Sequence, residues 1–163
     1  MAEYSANAVQ TVAVGAPVLF TESPVPCNRG FIFHREGSGV FRLASPSHMS
    51  SCQNWGWNNC CCCQMPEAMY LVAFHANIAI PTDPAGTVGP ISLAVSIDGE
   101  PDLSSTMIIT PAAVGDYGNV GAEVMVAVPA ICGCESIAIR NTSDQAILVQ
   151  NANLVISYQG VKY

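Results

Sequence analysis

Residues 69–80 alternate strictly enough to exclude most folds. Tyr70, Val72, Phe74, Ala76 and Ile78 fall on one side of an extended chain, and Leu71, Ala73, His75 and Asn77 on the other. The first set is the better core face. The same period of two runs through 91–97, 120–128 and 136–141, and shorter extended runs occupy 9–12, 17–20, 31–35, 40–43 and 104–110. Helical periodicity is nearly absent. Gly15, Gly37-Ser38-Gly39 and Asp98-Gly99-Glu100 punctuate the runs, so 31–35 and 40–43 read as a hairpin and Asp98-Gly99 as a hairpin turn. The pattern predicts an all-β chain of about nine or ten antiparallel strands in a sandwich or barrel. The run 146–158 is less clean. Ile147, Val149, Asn151 and Asn153 oppose Leu148, Gln150, Ala152, Leu154 and Ile156, and neither side is uniformly apolar.

A length of 163 residues suits one domain spanning 1–163. Residues 1–20 read as an N-terminal arm. Residues 45–59 read as an inserted polar loop, which carries both tryptophans, Trp55 and Trp57. Half the residues are apolar and only 10% are charged, against about 25% in ordinary domains. So little charge leaves the exterior to Ser, Thr, Asn and Gln or to other subunits, and copies of the same chain are the favoured cover. The net charge is −7, and the basic residues are Arg29, Arg35, Arg42, Arg140 and Lys162. That is too few to displace counterions from nucleic acid or to hold an anionic membrane. No apolar stretch approaches a bilayer span, so no membrane insertion is expected. The first residues have neither a basic segment nor an apolar one, so no signal peptide is expected.

Eight cysteines are present: Cys27, Cys52, Cys60, Cys61, Cys62, Cys63, Cys132 and Cys134. Adjacent Cα atoms lie about 3.8 Å apart, and disulfides prefer about 4.4–6.8 Å, so neighbours in the run pair poorly with each other. In an extended strand Cys60 and Cys62 face one way, Cys61 and Cys63 the other, and Cys132 and Cys134 share a face. One pair from the run can meet Cys132 and Cys134. Oxidised, that arrangement gives two disulfides. Reduced, Cys60, Cys62, Cys132 and Cys134 form a thiolate set for zinc, although the usual Cys-x2-Cys spacing is missing. Cys27 and Cys52 flank the first hairpin and can close it, or can instead pair with members of the run. The other face of the run remains available for cross-links between subunits.

Other chemistry is sparse. His34 and His75 lie in strands, and His48 lies in the polar loop near Cys52, with no metal-ligand spacing among them. Asp98, Glu100 and Asp102 alternate and can in principle bind calcium, but Asp98-Gly99 reads more simply as a turn. No Gly-x-Ser-x-Gly elbow and no phosphate-binding glycine loop occur. The expectation is a non-enzyme without a cofactor. Trp55 and Trp57 can offer flat faces to a surface glycan or a protein receptor.

Residues 70–78 (YLVAFHANI) and 91–99 (ISLAVSIDG) resemble the globular head domain shared by complement-type and tumour-necrosis-factor-like proteins. Residues 6–12 (ANAVQTV), 86–94 (GTVGPISLA), 98–100 (DGE) and 150–154 (QNANL) are similar to a bacterial and prophage branch that caps collagen-like proteins of spore surfaces and phage fibres. The resemblance implies a jelly roll and a homotrimer packed through aromatic and aliphatic side chains. It implies a structural or adhesive role on a spore coat or exosporium, an appendage or a virion, outside the cell. No collagen-like Gly-X-Y tract accompanies it here. The alternatives are a disulfide-cross-linked fibre subunit, whose residues 1–20 add a strand to the next copy, a glycan-binding module using Trp55 and Trp57, and a thiol or zinc enzyme built on the cysteine run.

Overall fold

The computed structural model describes residues 1–27, 31–45, 67–129 and 134–162. Two antiparallel sheets of six strands face each other across one core. The first runs β10(Gly118–Pro129), β6(Glu67–Ala79), β12(Ile147–Lys162), β1(Ala2–Ala6), β3(Glu22–Val25), with β2(Gln10–Val12) also on β12. The second runs β4(Ile32–His34), β5(Val40–Ala44), β11(Cys134–Asn141), β7(Ile91–Ile97), β8(Glu100–Pro101), with β9(Met107–Ile109) also on β7. This is a jelly-roll sandwich.

The face assignment of β6 holds. Tyr70, Val72, Phe74, Ala76 and Ile78 are buried, and they meet Phe41, Leu43, Leu93, Ile137 and Ile139 of the other sheet in one cluster. Full burial of each large aliphatic or aromatic side chain contributes about 1.5–3 kcal/mol.

The mixed pattern of the last strand has a geometric cause. Gln150 pairs with Asn77 and Asn153 with His75, so two residues of β12, Asn151 and Ala152, oppose one of β6. Asn151 takes φ 52°, a left-handed conformation that asparagine tolerates. This bulge shifts the phase by one residue. Ile147 and Val149 before it, and Ala152, Leu154 and Ile156 after it, all point inward. On its other side β12 exchanges partners at the same place, from β2 at Val149 to β1 at Ala152.

Three expectations change. Residues 1–20 are built into the body rather than extended as an arm. β1 lies between β12 and β3, and Ala2, Tyr4, Ala6, Val12, Val18 and Phe20 are all buried. Residues 17–20 are not a strand, although Val18 and Phe20 point inward as an alternating run requires. Pro17 lacks an N–H and joins Arg140 in a single bridge, and Val18 donates to Ile139 O at 2.8 Å. Residues 104–110 are a strand only from Met107. Asp102 Oδ1 accepts from the Ser104 N–H at 2.9 Å and its hydroxyl at 2.7 Å, and this bends Leu103–Ser105 into a 3-10 turn.

The Asp98-Gly99 turn forms as read, with φ 50° and 91° between paired Ile97 and Glu100. Gly39 sets a tighter constraint. A Cβ there would stand 2.6 Å from Pro17 Cβ and 2.6 Å from Val18 O. Gly39→Ala is therefore expected to cost about 1–3 kcal/mol, the range for overpacking. Urea melts that match the parent would show that the 17–20 segment yields.

Candidate functional site

Strand ends set where the cysteines are carried. Ala44 of β5 pairs with Cys134 of β11, and Pro129 of β10 pairs with Glu67 of β6, which also pairs with Lys162 of β12. Ala44, Glu67, Pro129 and Cys134, near the bounds of the described stretches, therefore lie at one end of the sandwich. Cys134 lies at that end, exposed, and accepts a hydrogen bond from Arg42 Nη2 at 2.8 Å. Cys27 is half-buried just beyond β3. Cys52, Cys60, Cys61, Cys62, Cys63 and Cys132 lie outside the described residues, as do Trp55, Trp57 and His48. The pairing of the cysteines and the zinc set accordingly stay expectations.

Two devices brace this end. Tyr70 Oη donates to Ala44 O at 2.6 Å, tying the end of β5 to the start of β6. Burial, with Tyr158 close by, raises the Tyr70 pKa, so the phenol stays a donor. Glu135 and Asp98 form a carboxyl pair beside Cys134. Asp98 Oδ1 accepts from the Ser136 N–H at 2.9 Å and its hydroxyl at 3.1 Å. The hydrogen bond to Asp98, then burial, then the charge of Asp98 push Glu135 up to about 7. Asp98 is lowered by its bonds to Glu135 and Ser136. Asp98 and Asp102 are thus spent on turns, and no group of three or more His, Cys, Asp and Glu suited to a metal occurs among the described residues.

The pair predicts a pH dependence. The folded pKa of Glu135, about 7, lies above its ordinary 4.5. Its stabilisation is complete below the ordinary value and is lost as pH rises through about 7. Glu135→Gln keeps a donor toward Asp98 and should flatten this part of a Tm-versus-pH curve. An unchanged curve would mean that the pair does not share a proton.

A second region was not visible in the sequence. A cleft of about 410 Å³ opens between the β3 edge of one sheet and the β4 edge of the other. Its floor is Tyr4, Ile32 and His34, and its walls include Glu22, Cys27 and Glu36. Glu22 Oε2 accepts from Ser5 Oγ and Asn7 Nδ2, both at 3.0 Å. His34 Nε2 lies 2.9 Å from Ser38 O, and its ring stacks on Phe41 at 4.2 Å. Tyr4 packs against both rings. These residues come from three separate stretches of chain, around Tyr4, Glu22 and His34, so no single local motif marks them. His75, by contrast, is exposed on the outer face of β6.

No protein-family model matches the sequence, and no curated protein matches it. Among solved structures, the globular domain of zebrafish complement 1qA protein superposes with a TM-score of 0.54 at 13% identity, covering 94% of each chain. The likeness is one of fold. It agrees with the jelly roll read from the sequence. A Podospora anserina GH26-CBM35 β-(1,4)-mannanase superposes at a TM-score of only 0.31 and 12% identity, over 93% of this chain and 28% of that one. No helix among the described residues is long and apolar enough to cross a membrane.

Proposed function

We propose that this chain is a self-associating, non-catalytic head domain that forms a homotrimer. Its role is structural or adhesive, as part of a spore surface, an appendage or a phage particle. One observation carries the reading: part of the solvent face of the first sheet, on β6, β10 and β12, is an apolar patch. Strand register puts Met125 beside Leu71, Ala127 beside Met69, and Val155 beside Ala73. These six residues lie on the side opposite the core. Met125 is 49% exposed, and the other five are part-buried or exposed. The charged groups in this stretch of register are few, with Glu123 opposite Ala73 and Glu3 opposite Val155. An exposed apolar patch on a chain with 10% charged residues is stabilised by burial against another copy.

Light scattering on a sizing column tests it. Three chain masses are expected at micromolar concentration. Leu71→Glu with Met125→Glu should give single chains with an unchanged far-ultraviolet spectrum, because neither side chain points into the core. A parent protein that runs as one chain would sink the reading. The exposed Cys134 adds a second proposal, that oxidation cross-links assembled copies through cysteines of this chain. A ladder on non-reducing gels, lost on reduction and thinned in Cys134→Ser, is the expected result, and a single band in both lanes counts against it.

A further inference from the structure

We infer that the free edge of β10 is a further self-association site, which pairs antiparallel with β10 of a second copy about a two-fold axis. β10 ends the first sheet, and β6 is its one partner strand among the described residues. Among those residues no main-chain hydrogen bond outside that ladder reaches 118–129. The 12 residues of β10 make an edge about 40 Å long at ~3.4 Å per residue. A row of unpaired N–H and C=O groups is a template for another strand, and sheet edges are commonly blunted by shortness, lysine or proline. The other edges here are blunted. β3 has four residues with Pro24 among them, β4 and β9 have three each, and β8 has two, one of them Pro101. β10 carries no lysine or arginine, a single charge at Glu123, and proline only as its last residue.

The strand is complementary to itself, which selects a second copy as the occupant. Its even-numbered residues from Val120 to Val128 face the core, and its odd-numbered residues face solvent. A two-fold seam keeps both faces intact only where even residues oppose even ones. Two such registers use nearly the whole strand. Pairing across 118–128 sets Glu123 against Glu123 of the other copy, and like charges directly opposed are unfavourable. Pairing across 119–129 avoids this. It centres on Val124, which meets its own counterpart, with Val120 against Val128 and Ala122 against Val126 on the inner side. Glu123 then lies opposite Met125 on the outer side. Ala122 and Val124 are half-buried, whereas Val126 and Val128 are buried, so the seam adds cover where the core lacks it. About ten main-chain hydrogen bonds form along such a seam, as many as a typical interface carries. Ile109 stands against Gly118, where an added Cβ would be 2.6 Å from Ile109 Cδ1, and this register leaves Gly118 unpaired. The seam runs in the plane of the sheet and the proposed trimer contact covers its outer face, so the inference does not rest on the trimer.

The test is light scattering and amide hydrogen exchange on the full chain with reductant, from micromolar to near-millimolar concentration. Val155→Lys provides a background in which the trimer face is charged, on a strand that β6 separates from β10. This variant should pass from one chain mass to two as concentration rises, and the parent from three to a multiple of three. Alternate amides within 119–129 should slow in step with the heavier species. In the Val155→Lys background, Met125→Lys meets Glu123 of the other copy twice and should tighten pairing about 2- to 30-fold, the scale of two cross-strand charge pairs. Met125→Glu should loosen it by a similar factor. Met125 is 49% exposed and points away from the core, so both variants should keep the far-ultraviolet spectrum. A Val155→Lys chain that stays single, beside a parent that stays at three, overturns the seam and leaves the trimer standing. A parent that passes from one chain to two with slowed 119–129 amides keeps the seam and sinks the trimer. Equal effects of Met125→Lys and Met125→Glu overturn the seam, because the register sets residue 125 against Glu123.

Discussion

A chain lacking residues 1–12 should fail to fold. The deletion removes β1 from between β12 and β3, and β2 from its pairing with β12, not a tail from the rim. Tyr4, Ala2, Ala6 and Val12 all leave the core. The Tyr4 and Val12 side chains alone represent about 1.5–3 kcal/mol each. The ladder from Ala2–Ile156 to Ala6–Ala152 goes too, and β3 loses β1, its one sheet neighbour among the described residues. Whole domains are stable by only about 5–15 kcal/mol, so little remains. The freshly bared edge of β12 would also invite aggregation. The expected result is insoluble protein, or soluble protein without a cooperative melt. An arm used for assembly predicts the opposite, a stable single chain that no longer associates. A truncated protein with the parent's melting curve would therefore show that β1 is dispensable and restore the arm.

The difference between arm and strand shows what the sequence could reveal. Long alternating runs in β6 and β7 declare both their state and their buried face, because a period of two has no other solution over so many residues. The turn at Asp98-Gly99 declares itself by chemistry, since both positions need positive φ. β1 is short, and its alternation of Ala2, Tyr4 and Ala6 with Glu3 and Ser5 is too brief to stand out. Its place is decided by the partner β12. β12 in turn hides its register behind Asn151, where one left-handed residue moves every later side chain to the other face. A phase jump between Val149 and Ala152, with an asparagine inside it, is the signal that could have found the bulge. The cleft had no such signal. Tyr4, Glu22 and His34 belong to three different strands, and only the closing of two sheet edges brings them together.

Asn141 should be the most sensitive single polar residue. It is 1% exposed, at the end of β11. Its Nδ2 donates to Val12 O at 3.0 Å and to Gln145 O at 2.9 Å, and its Oδ1 accepts from the Ser143 N–H at 2.8 Å. Its backbone pairs with Gly15 and Ala16. One amide therefore fastens the N-terminal segment, the second sheet and the turn into β12, and no strand ladder replaces it. Asn141→Ala strands two carbonyls and an N–H in a dry place, at about 1–3 kcal/mol each, and a loss of roughly 3–5 kcal/mol is expected once partial relaxation is allowed. Asn141→Asp separates hydrogen bonding from packing. The carboxylate fills the same space but cannot donate to either carbonyl, and burial raises its pKa. That variant should be weakest at neutral pH and recover as pH falls through the raised value, because the protonated acid regains one donor. The comparison is the difference in unfolding free energy between Asn141→Asp and the parent at each pH, which removes the shared contribution of Glu135. A difference that stays flat from neutral to acid would show that water, not this side chain, satisfies Val12 and Gln145.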